Sequence, residues 1–217
     1  SPRLHPLLLL EALTHAPATF ALLVVNTVVS LYALFVNPAL VDSWALRPYA
    51  IVRRGEWQRL FTGSFVHGSL GHLFFNMLTL YFVGPALEGV LGTGRFLVLY
   101  FGSELASSLF TVWRRRGDPA YAAVGASGAI SGLLFSLVLY APFAKFYIFF
   151  AIPMPAWLFA IVYVGGSIYA MKQNEAGQGG GGIAHEAHLG GALGGIVLTI
   201  LLDPSVGPHF LRQIGLG

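Results

Sequence analysis

Gly125-Ala126-Ser127-Gly128-Ala129-Ile130-Ser131-Gly132 opens one long apolar stretch, and His188-Leu189-Gly190-Gly191-Ala192-Leu193-Gly194-Gly195 opens another. Their glycines recur at four-residue spacing: Gly128 with Gly132, Gly190 with Gly194, and Gly191 with Gly195. On a helix this spacing clears one face of side chains, so two backbones can approach closely inside a membrane. Each stretch also carries a polar group near one end, Ser127 in the first and His188 in the second. Polar side chains cost free energy within a bilayer and so mark functional sites by default.

Composition agrees with that reading. Of 217 residues, 56% are hydrophobic and 10% charged, and mean hydropathy is +0.72. A soluble domain carries about 25% charged residues, so this is an integral membrane protein. The net charge of +3 reflects few acids rather than a basic arm, and nothing resembles a nucleic-acid footprint. There is no cysteine, which excludes disulfides, thiolate catalysis and Cys-ligated metals. Leu7 to Leu10 is too short to read as a signal peptide.

A membrane-crossing helix needs about 20 mostly apolar residues. Six segments qualify or nearly do, roughly 18–36, 71–91, 96–113, 125–141, 156–171 and 186–202. The expected fold class is therefore all-α, a polytopic membrane protein whose residues 1–217 form a single domain. Before the fifth segment, Phe146–Ile152 ends in Pro153-Met154-Pro155. Proline breaks helical bonding and restricts the residue before it, so this stretch reads as an extended or interfacial lead-in. The link 37–70 holds Trp44, Tyr49, Trp57 and Phe61, aromatics suited to the membrane–water boundary. It is expected to lie against the bilayer as short helices. The link 172–183 contains NEAGQGGGG, a flexible linker by composition.

The second, fourth and sixth segments all enter from one membrane face. That places His72, Asn76, Ser127, His185 and His188 within the first turns on the same side, at most on the order of 10 Å deep. A serine beside a histidine is a nucleophile and its base, which implies a protease working within the membrane. His72 and Asn76, four residues apart on one helix face, are two donors suited to an oxyanion. Packing by small residues with an incidental serine is the plain alternative for the Gly-x-Ser-Gly string. A zinc site is a weaker one. His185 and His188 are three residues apart, where H-E-x-x-H needs four, and no third acidic ligand stands nearby, so neither a metal nor a cofactor is expected. Glu104 lies in mid-membrane, where a carboxylate must be protonated or paired. The expectation is a protonated acid bonded to a neighbouring helix rather than a catalytic group. Glu186, at the start of the sixth segment, is expected at the water boundary, favoured there by the helix dipole.

Several stretches together resemble the rhomboid intramembrane serine proteases. They are Arg59-Leu60-Phe61-Thr62, His67, His72-Leu73-Phe74-Phe75-Asn76-Met77, Gly84-Pro85-Ala86-Leu87-Glu88, Gly92, Arg95-Phe96, Gly125-Ala126-Ser127-Gly128 and Ala187-His188-Leu189-Gly190-Gly191. The resemblance implies a six-helix core with a Ser127–His188 dyad and no acidic third member. It places His72, Asn76 and the Ser127 amide in the oxyanion hole. His67, Glu88, Arg59, Gly128 and Gly191 match positions that support the architecture. It also implies single-pass transmembrane proteins as substrates, entering from the lipid past the second and fifth helices, and a lid over the dyad at Gly179–Gly182. Three positions depart from the family pattern. Ser131 stands where many members have an aromatic ring packed on the catalytic histidine, Gln58 stands where some have tryptophan, and Glu104 has no counterpart.

Two questions stay open at this level. Arg47, Arg53, Arg54, Arg59, Arg114, Arg115, Arg116 and Lys172 fall on the active-site side, against Arg3, Arg95, Lys145 and Arg212 on the other. Positive residues favour the cytoplasm, whereas the resemblance implies a cell-membrane protein opening outward. The other question is activity. The alternative to a protease is a catalytically inactive rhomboid-like scaffold that binds membrane helices, and Ser131 is the residue that favours it.

Overall fold

The computed structural model describes residues 15–148, 152–175 and 184–216. The Leu7–Leu10 stretch and the Gly179–Gly182 lid expectation lie outside them. Helix α1 spans Pro17–Phe35. A run of short helices follows, α2 Ala39–Trp44, α3 Pro48–Arg54 and α4 Arg59–Thr62, with a 3-10 turn at Gly63–Phe65. Then come α5 Leu70–Leu91, α6 Thr93–Arg115, α7 Ser127–Tyr140, α8 Ala156–Glu175, α9 His185–Leu202 and α10 Val206–Gln213. This is a polytopic membrane protein. Helices α1, α5, α6 and α9 are long and apolar enough to cross a bilayer, and α7 and α8 carry shorter apolar stretches.

Two elements escaped the sequence reading. The lead-in to α8 is a β-hairpin, β1 Lys145–Ile148 against β2 Ile152–Pro155, antiparallel with Lys145 opposite Pro155. The prolines hinted at extended backbone but not at its partner. Helix α10 is also new. At eight residues it is too short to register as a span, and it is tied to the body by Gln213 Nε2 donating to the Tyr140 carbonyl at 2.8 Å, by His209 Nε2 at 3.1 Å from the same oxygen, and by the buried Val206.

The ends of the helices explain much of the arrangement. Pro17 sits in the first turn of α1, where its missing N–H costs nothing. The next amides, of Ala18 and Thr19, donate to the Glu88 carboxylate of α5 at 3.0 and 2.8 Å. Thr19 Oγ1 and Thr93 Oγ1 donate to it as well, both at 2.8 Å. One buried carboxylate therefore joins α1, α5 and the start of α6. In a medium without water, each such orphan amide would otherwise cost several kcal/mol, on the order of a lost hydrogen bond or more. Apolar side chains from α1, α5, α6 and α7, including Leu80, Leu87, Phe96, Leu99 and Leu133, fill the core between them. Outward-facing Val28, Phe74, Phe82 and Leu201 leave an apolar surface for lipid.

Helix α7 is unusual. Its 14 residues rise about 21 Å, short of the roughly 30 Å hydrocarbon thickness, and its start is buried in the protein, with Ala126 and Ala129 fully covered. Its first turn is mounted on the loop before it. Leu46 and Ala123 exchange backbone hydrogen bonds at 2.9 and 3.0 Å, and the Gly125 amide donates to the Gly63 carbonyl at 2.9 Å. The short-helix segment is itself knitted by Arg59, which pairs with Glu56 and donates to the carbonyls of Ala45 at 2.9 Å and Asp42 at 3.2 Å.

Glycines seat α7 between α6 and α9. A Cβ on Gly191 would collide with the Gly128 carbonyl, and one on Gly195 with that of Gly132. On the other side of α7, Gly128 and Gly132 lie against Ser107 and Ser103 of α6. Because the obstacle at Gly191 is backbone, no side chain can yield. Gly191→Val is expected to destabilise the protein by about 1–3 kcal/mol and to push α9 off α7. Thermal unfolding in detergent reads the first effect; a variant as stable as the parent would contradict the packing described.

Candidate active site

Ser127 is the first residue of α7, and the loop ahead of it turns through Gly125 at φ +105°. That left-handed conformation suits glycine. Space demands glycine too, because a Cβ at Gly125 would lie 2.5 Å from His72 Cε1 and 2.7 Å from His72 Nε2. The side chains of His72 and Asn76 thus rest against the backbone two residues before the serine. Asn76 is 7% exposed, and its Nδ2 has no hydrogen-bond partner among the described residues. A buried unpaired donor is costly, and one aimed beside a candidate nucleophile is the feature an anion would satisfy.

His67 lies behind this wall, fully buried. Its Nδ1 is 2.7 Å from Ser30 Oγ, and the Ala126 amide approaches its Nε2 at 3.5 Å. Ser30 Oγ in turn donates to the Phe65 carbonyl at 3.0 Å. The donors are satisfied in sequence if Nδ1 carries the proton, so the ring is read as neutral. Burial, with the His72 ring edge-on at 5.1 Å, lowers the His67 pKa from 6.5 to about 3.

His188 comes to the site on α9. Its ring stacks on Tyr163 of α8, with centroids 5.7 Å apart and planes 28° from parallel. His185 stands edge-on to it at 6.2 Å. The Tyr163 hydroxyl is 2.5 Å from Ser131 Oγ, and Ser131 donates to the Ser127 carbonyl at 2.7 Å. The structure thus brings together the helices bearing Ser127 and His188, through Gly128 on Gly191 and through this tyrosine. It also brings His72, Asn76 and His67 to the Gly125–Ala126 loop. Arg59 and Glu88 stand away from the site, in the short-helix segment and at the far end of α5. A proton-transfer bond between Ser127 and His188 belongs to the proposal below.

Two acids differ from expectation or extend it. Glu186 is not at the water boundary: it is 1% exposed, and Arg115 Nε donates to it at 2.7 Å. The guanidinium also lies over the Tyr121 ring at 5.3 Å. The pair fastens the end of α6 to the start of α9, which the dipole argument could not foresee because it treats α9 alone. Glu104 accepts from the Ala129 amide at 3.1 Å and faces Ser108 Oγ at 3.3 Å. It therefore caps the buried N-terminus of α7, a bond to a neighbouring helix as expected of it. A small cavity bordered by Glu104, Ser107, Ser127, Gly128 and Ala187 opens beside it. Tyr163 was missed altogether. An aromatic in an apolar helix carries no spacing signal that distinguishes it from a lipid-facing ring.

A family profile for the rhomboid domain matches residues 54–205, which takes in His67, His72, Asn76, Ser127, Tyr163 and His188. The chain belongs to the rhomboid family. Similar proteins include Rhomboid protein 1, mitochondrial, of Saccharomyces cerevisiae, 34% identical over 157 residues, covering 70% of this chain and 43% of that protein. RHOMBOID-like protein 12, mitochondrial, of Arabidopsis thaliana is 30% identical over 155 residues, covering 64% and 45%. Rhomboid protease GlpG of Salmonella choleraesuis is 29% identical over 124 residues, covering 57% and 42%. The matched stretch spans less than half the length of each of these rhomboid relatives.

The neutral His67 makes stability depend on pH. Its folded pKa is depressed, so the unfolded chain binds more protons between pH 6.5 and about 3. The contribution is complete above pH 6.5 and is lost as pH falls toward 3, by up to about 1.4 kcal/mol per pH unit. Unfolding measured across that window should show the slope flattened in His67→Gln; an unchanged slope would contradict the burial argument.

Proposed function

We propose that this rhomboid is an intramembrane serine endopeptidase in which Ser127 is the nucleophile and His188 its general base. The observation that carries the reading is the unpaired Asn76 Nδ2, set with His72 against the Gly125 backbone. Donors held ready and unsatisfied are what a tetrahedral oxyanion requires. Close approach of Gly128 and Gly191 supports hydrogen-bond reach between a short serine side chain and the imidazole. The scaffold alternative drew on the absence of an aromatic at position 131. Tyr163 stacked on His188 weighs against it.

In this mechanism His188 accepts the Ser127 hydroxyl proton as Oγ attacks the substrate carbonyl. The oxyanion lies between His72, Asn76 and the Ser127 amide. His188 then protonates the leaving amine, and water, activated by the same imidazole, releases the acyl group. No acidic third member or cofactor takes part. A helical substrate ties its carbonyls in i→i+4 bonds, so it must unwind before attack. The substrates proposed are single-pass membrane helices with Gly, Ala, Ser or Pro near the face where the dyad lies.

A fluorophosphonate probe should label the protein, and Ser127→Ala should abolish labelling. Asn76→Ala should lower the cleavage rate by about 10²–10³-fold, and stiffening the substrate segment with leucines should suppress cleavage. Labelling that survives Ser127→Ala would refute the nucleophile assignment, and unchanged cleavage of the leucine substrate would refute the unwinding step.

The proposed location is the cell membrane with the site opening outward. Positive-residue counting argues the other way, yet Arg47, Arg54, Arg59 and Arg115 of that tally are paired with Asp42, Glu56, Glu56 and Glu186. Protease added outside intact cells should cleave the Arg114–Arg116 loop; protection there until the cells are opened would reverse the orientation.

A further inference from the structure

The ring that faces His188 belongs neither to the serine's helix nor to the histidine's. Tyr163 projects from α8, and its ring meets Phe135 of α7 at 5.7 Å and Phe159 of its own helix at 5.5 Å. Phe159 in turn meets Phe146 of the β-hairpin at 5.1 Å. A line of aromatic contacts therefore runs from the hairpin to the imidazole.

The hydroxyl end is fixed separately. Ser131 spends its hydrogen on the Ser127 carbonyl, one turn back along α7. Its oxygen can then only accept from Tyr163, so the phenol is the donor of that 2.5 Å bond. The sequence of bonds reads Tyr163 O–H to Ser131 Oγ, then Ser131 O–H to the Ser127 carbonyl. One tyrosine thus touches the plane of the candidate base and the turn that carries the candidate nucleophile. Ser131 leaves room for it: a serine there provides an acceptor where an aromatic side chain would fill the space.

The start of α8 is fixed by the Ala156 and Trp157 amides donating to the carbonyls of Ala144 and Pro142. Among its described side chains only Ala156, Ser167 and Met171 are buried, while Ile161 and Val162 stand well exposed. Displacing α8 from α7 would break the stack and the Ser131 bond together.

We propose that Tyr163, anchored by Ser131, is the positioning residue for the His188 imidazole, so that the seating of α8 decides whether the base is held in register with Ser127. This rests on His188 being the base, as argued above. The ring acts through His188 and does not touch substrate. An unsupported imidazole rotates about its side-chain bonds, and misplacement of a reacting group by about 1 Å can cost on the order of 10²-fold in rate.

The test compares wild type with Tyr163→Phe, Tyr163→Leu, Tyr163→Met and Ser131→Ala in proteoliposomes, reading fluorophosphonate labelling rate, kcat, KM and Tm. Tyr163→Phe keeps the ring and loses only the anchor, so kcat should fall a few-fold, and Ser131→Ala should match it. Tyr163→Leu and Tyr163→Met lose the flat face, so labelling and kcat should fall roughly 10–100-fold with KM nearly unchanged. If Tyr163→Leu fails to fold, Tyr163→Met against Tyr163→Phe carries the comparison. Wild-type rates in the Leu and Met variants, or equal losses in Phe and Leu, overturn the positioning role while wild-type labelling that depends on Ser127 leaves the protease reading standing. A wild type that neither labels nor cleaves overturns both.

Discussion

Backbone contact between α7 and α9 is the constraint on which the rest depends. Gly191 rests on the Gly128 carbonyl and Gly195 on that of Gly132. Inside a bilayer no hydrophobic force drives helices together, so close van der Waals packing must do it. Glycine on both sides brings the axes close, so that α7 and α9 meet backbone to backbone at Gly128 and Gly191. Helix α6 completes the arrangement by presenting Ser103 and Ser107 to the same two α7 glycines. Three helices are thus packed with almost nothing between their backbones.

Such packing creates a second problem, because the N-terminus of α7 is buried in the protein and carries orphan amides. The chain resolves it with buried acceptors drawn from elsewhere. Glu104 of α6 takes the Ala129 amide, Gly63 takes Gly125, and His67 faces Ala126. Glu88 performs the same service for α1. In this protein two membrane-embedded carboxylates are thus structural caps. Asn76 Nδ2 is one of several buried polar atoms left unpaired among the described residues, and it lies where the proposed chemistry needs it.

Much of this was legible beforehand. The long apolar segments, the small-residue spacing and the placement of His72, Asn76, Ser127 and His188 near the starts of their helices all follow from local pattern, because helical period and breakers turn sequence position directly into face and end. The short helices in 37–70 followed from their aromatic content. Pairings between distant segments were not legible. Glu186 looked like a boundary residue until Arg115 of α6 proved to be its partner, and Phe146–Ile152 showed extended character without revealing that Lys145–Ile148 pairs antiparallel with Ile152–Pro155. Ser131 read as a missing aromatic because the ring stacked on His188 lies 32 residues on, in another helix.

From composition and spacing alone came membrane residence, helical architecture and the kinds of group at the site, since bilayer thickness, helix geometry and the cost of buried polarity act on short stretches of chain. It took the folded chain to choose partners: the ring that faces His188, the acid that caps α7 and the base that holds Glu186. Those choices rest on which side chains happen to share a few ångströms after the helices dock, and no periodicity along the sequence encodes that distance.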